Sequence, residues 1–251
     1  MNTLRRKLHS KKLNERRYDT DNRILFLYAM EKYALIVAGG SGTRMGNITP
    51  KQFLMLQNKS LLWHSVHAFH SAFSDIQIIL VLPESHLQVD IEKEFSSTNI
   101  KFVAGGTTRF QSVKNGLSHV PDDAVVFVHD GVRCLLSTGL ITRCYEQTRM
   151  KGNAVPVVKA TDSLRIDKDN VHCVRDRNHI RMVQTPQTFA STDLKLAFEQ
   201  PYQDSFTDEA TVMEAFGKTV HLIEGEYENI KITRPLDLLI ADTILSQRQK
   251  A

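Results

Sequence analysis

Residues 38–46 read Ala38-Gly39-Gly40-Ser41-Gly42-Thr43-Arg44-Met45-Gly46, and Pro50-Lys51-Gln52 follows closely. Glycines behind an apolar run let backbone amides approach a phosphate, and a following helix adds the positive end of its dipole. Phosphate binding is therefore the chemistry this loop invites. It is not a dinucleotide fingerprint, because Met45 occupies the third glycine position and no acidic residue follows at the spacing that holds ribose hydroxyls. It is not a P-loop either, since no Gly-Lys-Ser/Thr follows.

The charge around the loop is one-sided. The 43 residues from Lys32 to Ser74 contain no Asp or Glu, yet they carry Arg44, Lys51 and Lys59. A triphosphate site needs this asymmetry, since a nearby carboxylate would repel the ligand and absorb the cations. Charge alone fits an ordinary strand–turn–helix with surface cations equally well.

Further motifs follow in order: Gly105-Gly106-Thr107-Thr108-Arg109 with Ser112-Val113, then His129-Asp130-Gly131-Val132-Arg133. Asp176-Arg177-Asn178, Thr185-Pro186-Gln187, Thr207-Asp208-Glu209-Ala210 and Asn229-Ile230-Lys231-Ile232-Thr233 complete the set. Together with the glycine loop they resemble the nucleotidyltransferases that activate sugar phosphates. Within these the chain is most similar to the 2-C-methyl-D-erythritol 4-phosphate cytidylyltransferase family of non-mevalonate isoprenoid biosynthesis. The resemblance spans roughly residues 33–245, and the ordered set is far more specific than any single motif.

That resemblance implies transfer of CMP from CTP to methylerythritol phosphate, with pyrophosphate released and Mg²⁺ required. Arg44 and Lys51 would stabilise the transition state, while Arg177 and Lys231 would position the attacking phosphate. Ala38, Gly39, Gly40, Gly42, Gly105, Gly106 and Ser112 would bind CTP. Asp130, Arg133, Ser163, Thr185 and Thr207 would meet the polyol, with Asp130 a candidate for the metal or for a ligand hydroxyl. Ser163 stands where the family commonly has threonine, and Thr161 is its rival for that role. Cys134 replaces the usual proline after Arg133. The sister activity on ribitol 5-phosphate shares most of these motifs, and a non-catalytic nucleotide-binding protein is the alternative from another class. The attacking group is a phosphate monoester, already largely a dianion near neutral pH, so the chemistry asks for positioning and fixed positive charge and needs no base.

The elements that must hold these residues are legible as apolar runs. Strands are expected at Tyr33–Ala38, Ile76–Leu82, Ile100–Val103, Ala124–His129 and Ala154–Val158, with late strands at Val220–Glu224 and Asn229–Thr233. Helical spacing is expected over Ser60–Phe73, Glu84–Phe95, Phe110–Val120, Ile141–Met150, Thr192–Glu199 and Asp208–Phe216, and Pro235 opens a final helix. Alternation of near-continuous apolar strands with helices predicts an α/β, Rossmann-like, mainly parallel sheet covered on both faces. The alternation breaks over about residues 159–187, read as a β-hairpin arm projecting from the sheet, with a turn at Asp167-Lys168-Asp169-Asn170. Family members exchange this arm, so the resemblance implies a homodimer in which each site borrows residues from the partner.

Composition excludes several classes. The chain has 251 residues, 41% apolar and 24% charged, an ordinary globular balance. No run reaches the roughly 18 apolar residues of a membrane helix. Of the +4 net charge, residues 1–29 supply eight basic and three acidic side chains, a surplus of +5, so residues 30–251 carry −1. The basicity thus offers no argument for nucleic acid as a partner. Residues 1–30 read as a basic leader ahead of a domain over residues 31–247, with Met30 the expected true start. Cys134, Cys144 and Cys173 are an odd, scattered set that fits a reducing, cytoplasmic setting. His64, His67 and His70 share a helix, but the third lies about 240° round from the first, which argues against a metal site.

Overall fold

The computed structural model describes residues 30–39, 50–87, 95, 100–169 and 171–250. Met1–Glu31 and Lys32–Ala251 are separate units, and the latter carries the fold. The loop residues Gly40, Gly42 and Arg44, the leader and Asn170 of the expected turn lie outside the described residues.

An eight-stranded sheet forms the centre. Its strands are β1 (Lys32–Val37), β4 (Gln77–Leu82), β5 (Ile100–Ala104), β6 (Val125–Asp130), β7 (Asn153–Lys159), β10 (Arg181–Val183), β11 (Gln187–Ala190) and β12 (Leu222–Glu224). The order is β10-β7-β11-β6-β1-β4-β5, with β12 also paired to β7. β1 pairs parallel with β4 and β6, β4 parallel with β5, and β12 parallel with β7, while β10 and β11 run antiparallel to their neighbours. Short strands β2 (Met55–Leu56) and β3 (Lys59–Ser60) form a separate hairpin, turned by Gln57 and Asn58 at φ 49° and 63°. Among the described strands, β8 (Leu164–Lys168) and β9 (Val171–Arg175) pair only with each other.

Both faces of the sheet are covered, which is why its central strands are apolar throughout. Leu35, Val81, Val126 and Val128 point to one face, where α2 (Arg109–Leu117), α4 (Ser191–Ala197) and α5 (Glu209–Ala215) pack through Val113, Leu194 and Val212. Phe127 points to the other face and meets Phe69 of α1 (Leu61–Ala72), with ring centroids 5.6 Å apart. Phe73 there contacts Tyr145 of α3 (Thr138–Lys151). Ser60 caps α1, Thr108 caps α2 and Ser137 caps α3, each accepting a backbone N–H of the first turn. Gly152, at φ 86°, ends α3 in the left-handed conformation that glycine adopts without a Cβ clash.

A second hydrophobic cluster joins Leu56, Leu61, Val132, Cys134, Leu135 and Ile232 to Ala241 of the last helix α6 (Pro235–Arg248). Leu56 follows Lys51 by five residues, Val132 follows Asp130 by two, and Ile232 follows Lys231 directly. One packed cluster therefore seats the backbone of three chemistry-bearing segments.

Several expectations change. Asn229–Thr233 is not a strand: Ile230 and Ile232 turn into the second cluster, and the Ile232 N–H donates to the Val132 carbonyl at 3.0 Å. Gln187 does not close the arm but opens β11, a buried antiparallel strand between β6 and β7. The chain rejoins the sheet at Arg181, so the free hairpin is β8–β9, and Asp169 at φ 54° lies at its turn. Glu84–His86 is one 3-10 turn, and most of the remainder of that expected helix lies outside the described residues. Val220 precedes β12, which starts at Leu222.

Candidate active site

A cavity of about 230 Å³ opens at the carboxyl ends of β1 and β6, where open α/β sheets hold their ligands. Its lining brings together Ala38, Gly39, Lys51, Gly106, Ser112, Asp130 and Lys231. These seven belong to four separate sequence motifs. Gln52, Thr108 and Arg109 line it as well.

At the nucleotide-loop end, Ser112 is the organising side chain. Its hydroxyl accepts the Gly106 N–H at 3.0 Å and donates to the Thr108 carbonyl at 2.9 Å, tying the 105–108 loop to the first turn of α2. A Cβ on Gly106 would lie 2.1 Å from Gln111 Cγ, so no larger residue fits that turn without displacing the helix. Gly105 sits beside it, with Ser112 Oγ 3.1 Å from where its Cβ would be. Gln52, buried beneath the floor, donates from Nε2 to the Ala38 carbonyl at 2.7 Å and fixes the start of the glycine loop.

At the other end Asp130 is the hub. Lys231 Nζ stands 2.8 Å from its Oδ2, Arg109 Nη2 3.4 Å from its Oδ1, and Arg133 Nε 3.8 Å from its Oδ2. Burial works against a charged carboxylate, but Arg109, Lys231 and Arg133 outweigh it and hold Asp130 well below the ordinary carboxylate range. Arg109 in turn forks onto Glu209, which has no exposed surface. Burial pushes the Glu209 carboxyl up and the Arg109 fork opposes that push. The carboxylates Asp130 and Glu209, with Asp208 close by, are set against Arg109, Arg133 and Lys231, and Lys51 lines the same cavity, so the cations still outnumber the carboxylates by one, which suits anionic ligands.

Thr185 lies behind Asp130. Its hydroxyl accepts the Asp130 N–H at 3.1 Å and reaches His129 Nδ1 at 3.1 Å, while His129 Nε2 faces the Arg133 carbonyl at 3.2 Å. This arrangement makes Nε2 the protonated nitrogen of a neutral ring, with the Thr185 hydroxyl donating to Nδ1. Burial, aided by the charge of Arg133, lowers the His129 pKa to about 3.

The remaining expected residues are placed elsewhere. Arg133 is largely buried and donates to the Asn229 carbonyl at 2.8 Å and the Val183 carbonyl at 3.4 Å, so its guanidinium clamps the Lys231 segment. Thr207 is exposed just before α5. Ser163 and Thr161 are exposed at the root of the arm, where Arg177 Nη1 donates to the Thr161 carbonyl at 2.6 Å. Neither Ser163 nor Arg177 lines the cavity of its own chain.

Sequence reasoning does not single out Arg109 or Glu209 as site residues. Both stand in plain view within the quoted Gly-Gly-Thr-Thr-Arg and Thr-Asp-Glu-Ala motifs. Only the fold brings together residues 100 positions apart.

Among the described residues no three His, Cys, Asp or Glu side chains cluster as a metal site. A nucleotide-borne Mg²⁺ asks for less, one or two carboxylates with phosphate oxygens and water; Asp130 brings a carboxylate to the cavity lining, with its Oδ2 already meeting Lys231 and its Oδ1 Arg109. Two of the histidines of α1 are engaged separately: His64 Nε2 meets the Leu56 carbonyl at 2.9 Å, and His67 stacks on Trp63.

Comparison with known proteins gives a concordant result. The family model for 2-C-methyl-D-erythritol 4-phosphate cytidylyltransferase (IspD) matches residues 33–247. The chain is 46% identical over 220 residues to the protein of that name from Porphyromonas gingivalis, covering 86% of this chain and 98% of the relative. It is 43% identical to the one from Phocaeicola vulgatus, covering 86% and 100%. Among solved structures, the enzyme from Thermus thermophilus superposes with a TM-score of 0.71 at 31% identity, covering 86% of this chain and 100% of that one. The 4-diphosphocytidyl-2C-methyl-D-erythritol synthase from Anaerococcus prevotii gives 0.75 at 26% identity, covering 88% and 99%. With an intact set of motifs, a sheet of the matching architecture and a relationship that runs the length of the catalytic unit, the chain belongs to the 2-C-methyl-D-erythritol 4-phosphate cytidylyltransferase family.

Proposed function

We propose that the chain transfers the cytidylyl group of CTP to the phosphate of 2-C-methyl-D-erythritol 4-phosphate, forming 4-diphosphocytidyl-2-C-methyl-D-erythritol and pyrophosphate. The observation that carries this reading is the cavity shared by Lys51, the 105–112 loop and the Asp130–Lys231 pair in a chain of this family. The glycine loop and Ser112 region receive the nucleotide, while Lys231 and the surface around Asp130 receive the polyol phosphate.

The substrate monoester arrives largely deprotonated and attacks the α-phosphate in line, so no side chain need remove a proton. Lys51 supplies a mobile point charge to the α-phosphate as negative charge builds there, and Arg44 is its partner by motif. Lys231 holds the attacking phosphate close to the α-phosphate, which replaces a bimolecular encounter between anions by a fixed approach. Asp130 would be the protein carboxylate that holds a magnesium ion, and the chemistry such an ion would supply there is neutralisation of the triphosphate charge.

The arm supports a homodimer as a second part of the reading. By the β8–β9 register, Leu164, Ile166, Val171 and Cys173 share one face with Lys168 and Arg175 in a hairpin that pairs with no other described strand, and Ile166 and Val171 are 43% and 60% exposed. A two-stranded hairpin is marginal alone, and a second copy would cover that face. Arg177 and Ser163 would then serve the neighbouring site. Three free cysteines fit a reducing cytoplasm, and no described helix is long and apolar enough to cross a membrane.

Pyrophosphate release from CTP and 2-C-methyl-D-erythritol 4-phosphate, with and without added Mg²⁺, tests the reading. Turnover that requires both substrates and ceases with a chelator is expected. No release under any of these conditions would leave a nucleotide-binding protein as the better description.

A further inference from the structure

Arg109 reaches from the nucleotide end of the cavity to the acidic hub at the other. It is the first residue of α2, directly after the 105–108 loop that Ser112 ties down. Its guanidinium forks onto Glu209, the first residue of α5 and the neighbour of Asp208, which caps that helix. The same Nη2 lies 3.4 Å from Asp130 Oδ1, opposite the Oδ2 that takes Lys231 at 2.8 Å. Asp130 is thus held among three cations: Arg109, anchored from behind by a carboxylate without solvent exposure, Arg133, 3.8 Å from Oδ2 and fastened to the Asn229 carbonyl, and Lys231, half-free at the cavity mouth.

Arg109 and Lys231 differ in kind. A guanidinium fork on a buried carboxylate has a fixed plane, whereas the Lys231 ammonium on its flexible stem is 41% exposed and can be shared with an incoming anion. If Arg109 did not hold Oδ1, the Asp130 carboxylate would be free to turn further onto Lys231. The ammonium would then be occupied by Asp130 when the substrate phosphate arrives.

We infer that Arg109, anchored by Glu209, is a positioning residue that fixes the Asp130 carboxylate and so keeps Lys231 available to the attacking phosphate. This deepens the proposed cytidylyl transfer and rests on it for its kinetic consequence. Arg109 and Glu209 also join α2, which carries the nucleotide loop, to α5, which follows Thr207, so one ion pair sets the spacing of the two halves of the site.

The test uses the full chain with Arg109→Lys and Glu209→Gln. Lysine keeps the charge but cannot fork; glutamine keeps the shape but releases the anchor. Both variants are expected to raise the KM for the polyol phosphate about tenfold, with the KM for CTP changing less than about threefold. Equal rises in both KM values, or a loss of kcat that merely follows the folded fraction in a thermal melt, would overturn the inference while the wild-type turnover still stood. A second measurement needs no turnover. Urea midpoints of Arg109→Lys, Asp130→Asn and the double variant are expected to be non-additive, and additive shifts would show that Arg109 does not hold Asp130.

Discussion

Lys231 Nζ and Asp130 Oδ2 stand 2.8 Å apart although 101 residues separate them in the chain. The pair is asymmetric. Asp130 has a side chain only 12% exposed, whereas Lys231 is 41% exposed at the cavity mouth. The carboxylate is fixed by its surroundings, whereas the ammonium can shift toward a ligand.

That asymmetry separates two substitutions. Lys231→Ala is expected to lower kcat/KM for the polyol phosphate by about 10²–10³, the usual effect of removing one cation aimed at a reacting anion, with stability altered by less than about 1 kcal/mol. Asp130→Asn leaves Arg133 and Lys231 crowded beside Arg109 without the Asp130 counter-charge, and is expected to cost about 3 kcal/mol in urea denaturation as well as activity. If Lys231→Ala proved the less stable of the two, the division between fixed carboxylate and movable ammonium would be wrong.

Gly106→Ala tests the nucleotide end. Its Cβ would fall 2.1 Å from Gln111 Cγ and 2.5 Å from Gln111 Cβ, so the first turn of α2 must shift and the Ser112 contact with it. A stability loss of about 1–3 kcal/mol is expected. It should come with a CTP affinity reduced by about tenfold, read by nucleotide titration, while a variant with native affinity would place the nucleotide elsewhere.

His129 predicts an acid sensitivity. Its folded pKa of about 3 lies below the ordinary value of 6.5, so below about pH 6.5 the unfolded chain takes up a proton that the native state refuses. The stabilisation is complete above pH 6.5 and is lost as pH falls toward 3. Linkage sets the loss at about 3 kcal/mol between pH 7 and pH 4.5. Urea denaturation at both pH values should show this excess loss in the wild type and not in His129→Asn; equal pH dependence in the two proteins would contradict a buried neutral imidazole.

The arm supplies the assembly prediction. Ile166→Asp puts a negative charge among Leu164, Val171 and Cys173, the apolar members of the face they share with Lys168 and Arg175. Sedimentation at micromolar protein is expected to give a dimer for the wild type and a monomer for the variant, with turnover reduced because Arg177 no longer reaches the neighbouring site. A monomeric, fully active wild type would refute the shared site.

The parts of the fold legible in the sequence are those buried on both faces. Ala124–His129 reads as a strand from its apolar run, the observed strand Val125–Asp130 is buried at all six residues, and its end at Asp130 places the site. β11 is hidden from sequence reading because Gln187 and Thr188 are polar, yet both are buried. Gln187 bonds Asp208 at 2.9 Å and the Ala210 N–H at 2.8 Å, and so locks α5 to the sheet. Asn229–Thr233 alternates like a strand, but the apolar members serve the second cluster and Asn229 donates to the Thr185 carbonyl at 2.9 Å. The cations of the site can be named by motif, whereas the Arg109–Glu209 fork cannot, because each partner lacks any local signal for the other.

The central claim is tested most directly by comparing kcat/KM for 2-C-methyl-D-erythritol 4-phosphate and for ribitol 5-phosphate, with CTP and Mg²⁺ in excess and pyrophosphate release as the readout. The account predicts a preference for the methylerythritol substrate of at least about 100-fold, abolished together with turnover in Lys51→Ala. Preference for ribitol 5-phosphate, or a Lys51→Ala enzyme within a few-fold of wild type, would contradict it.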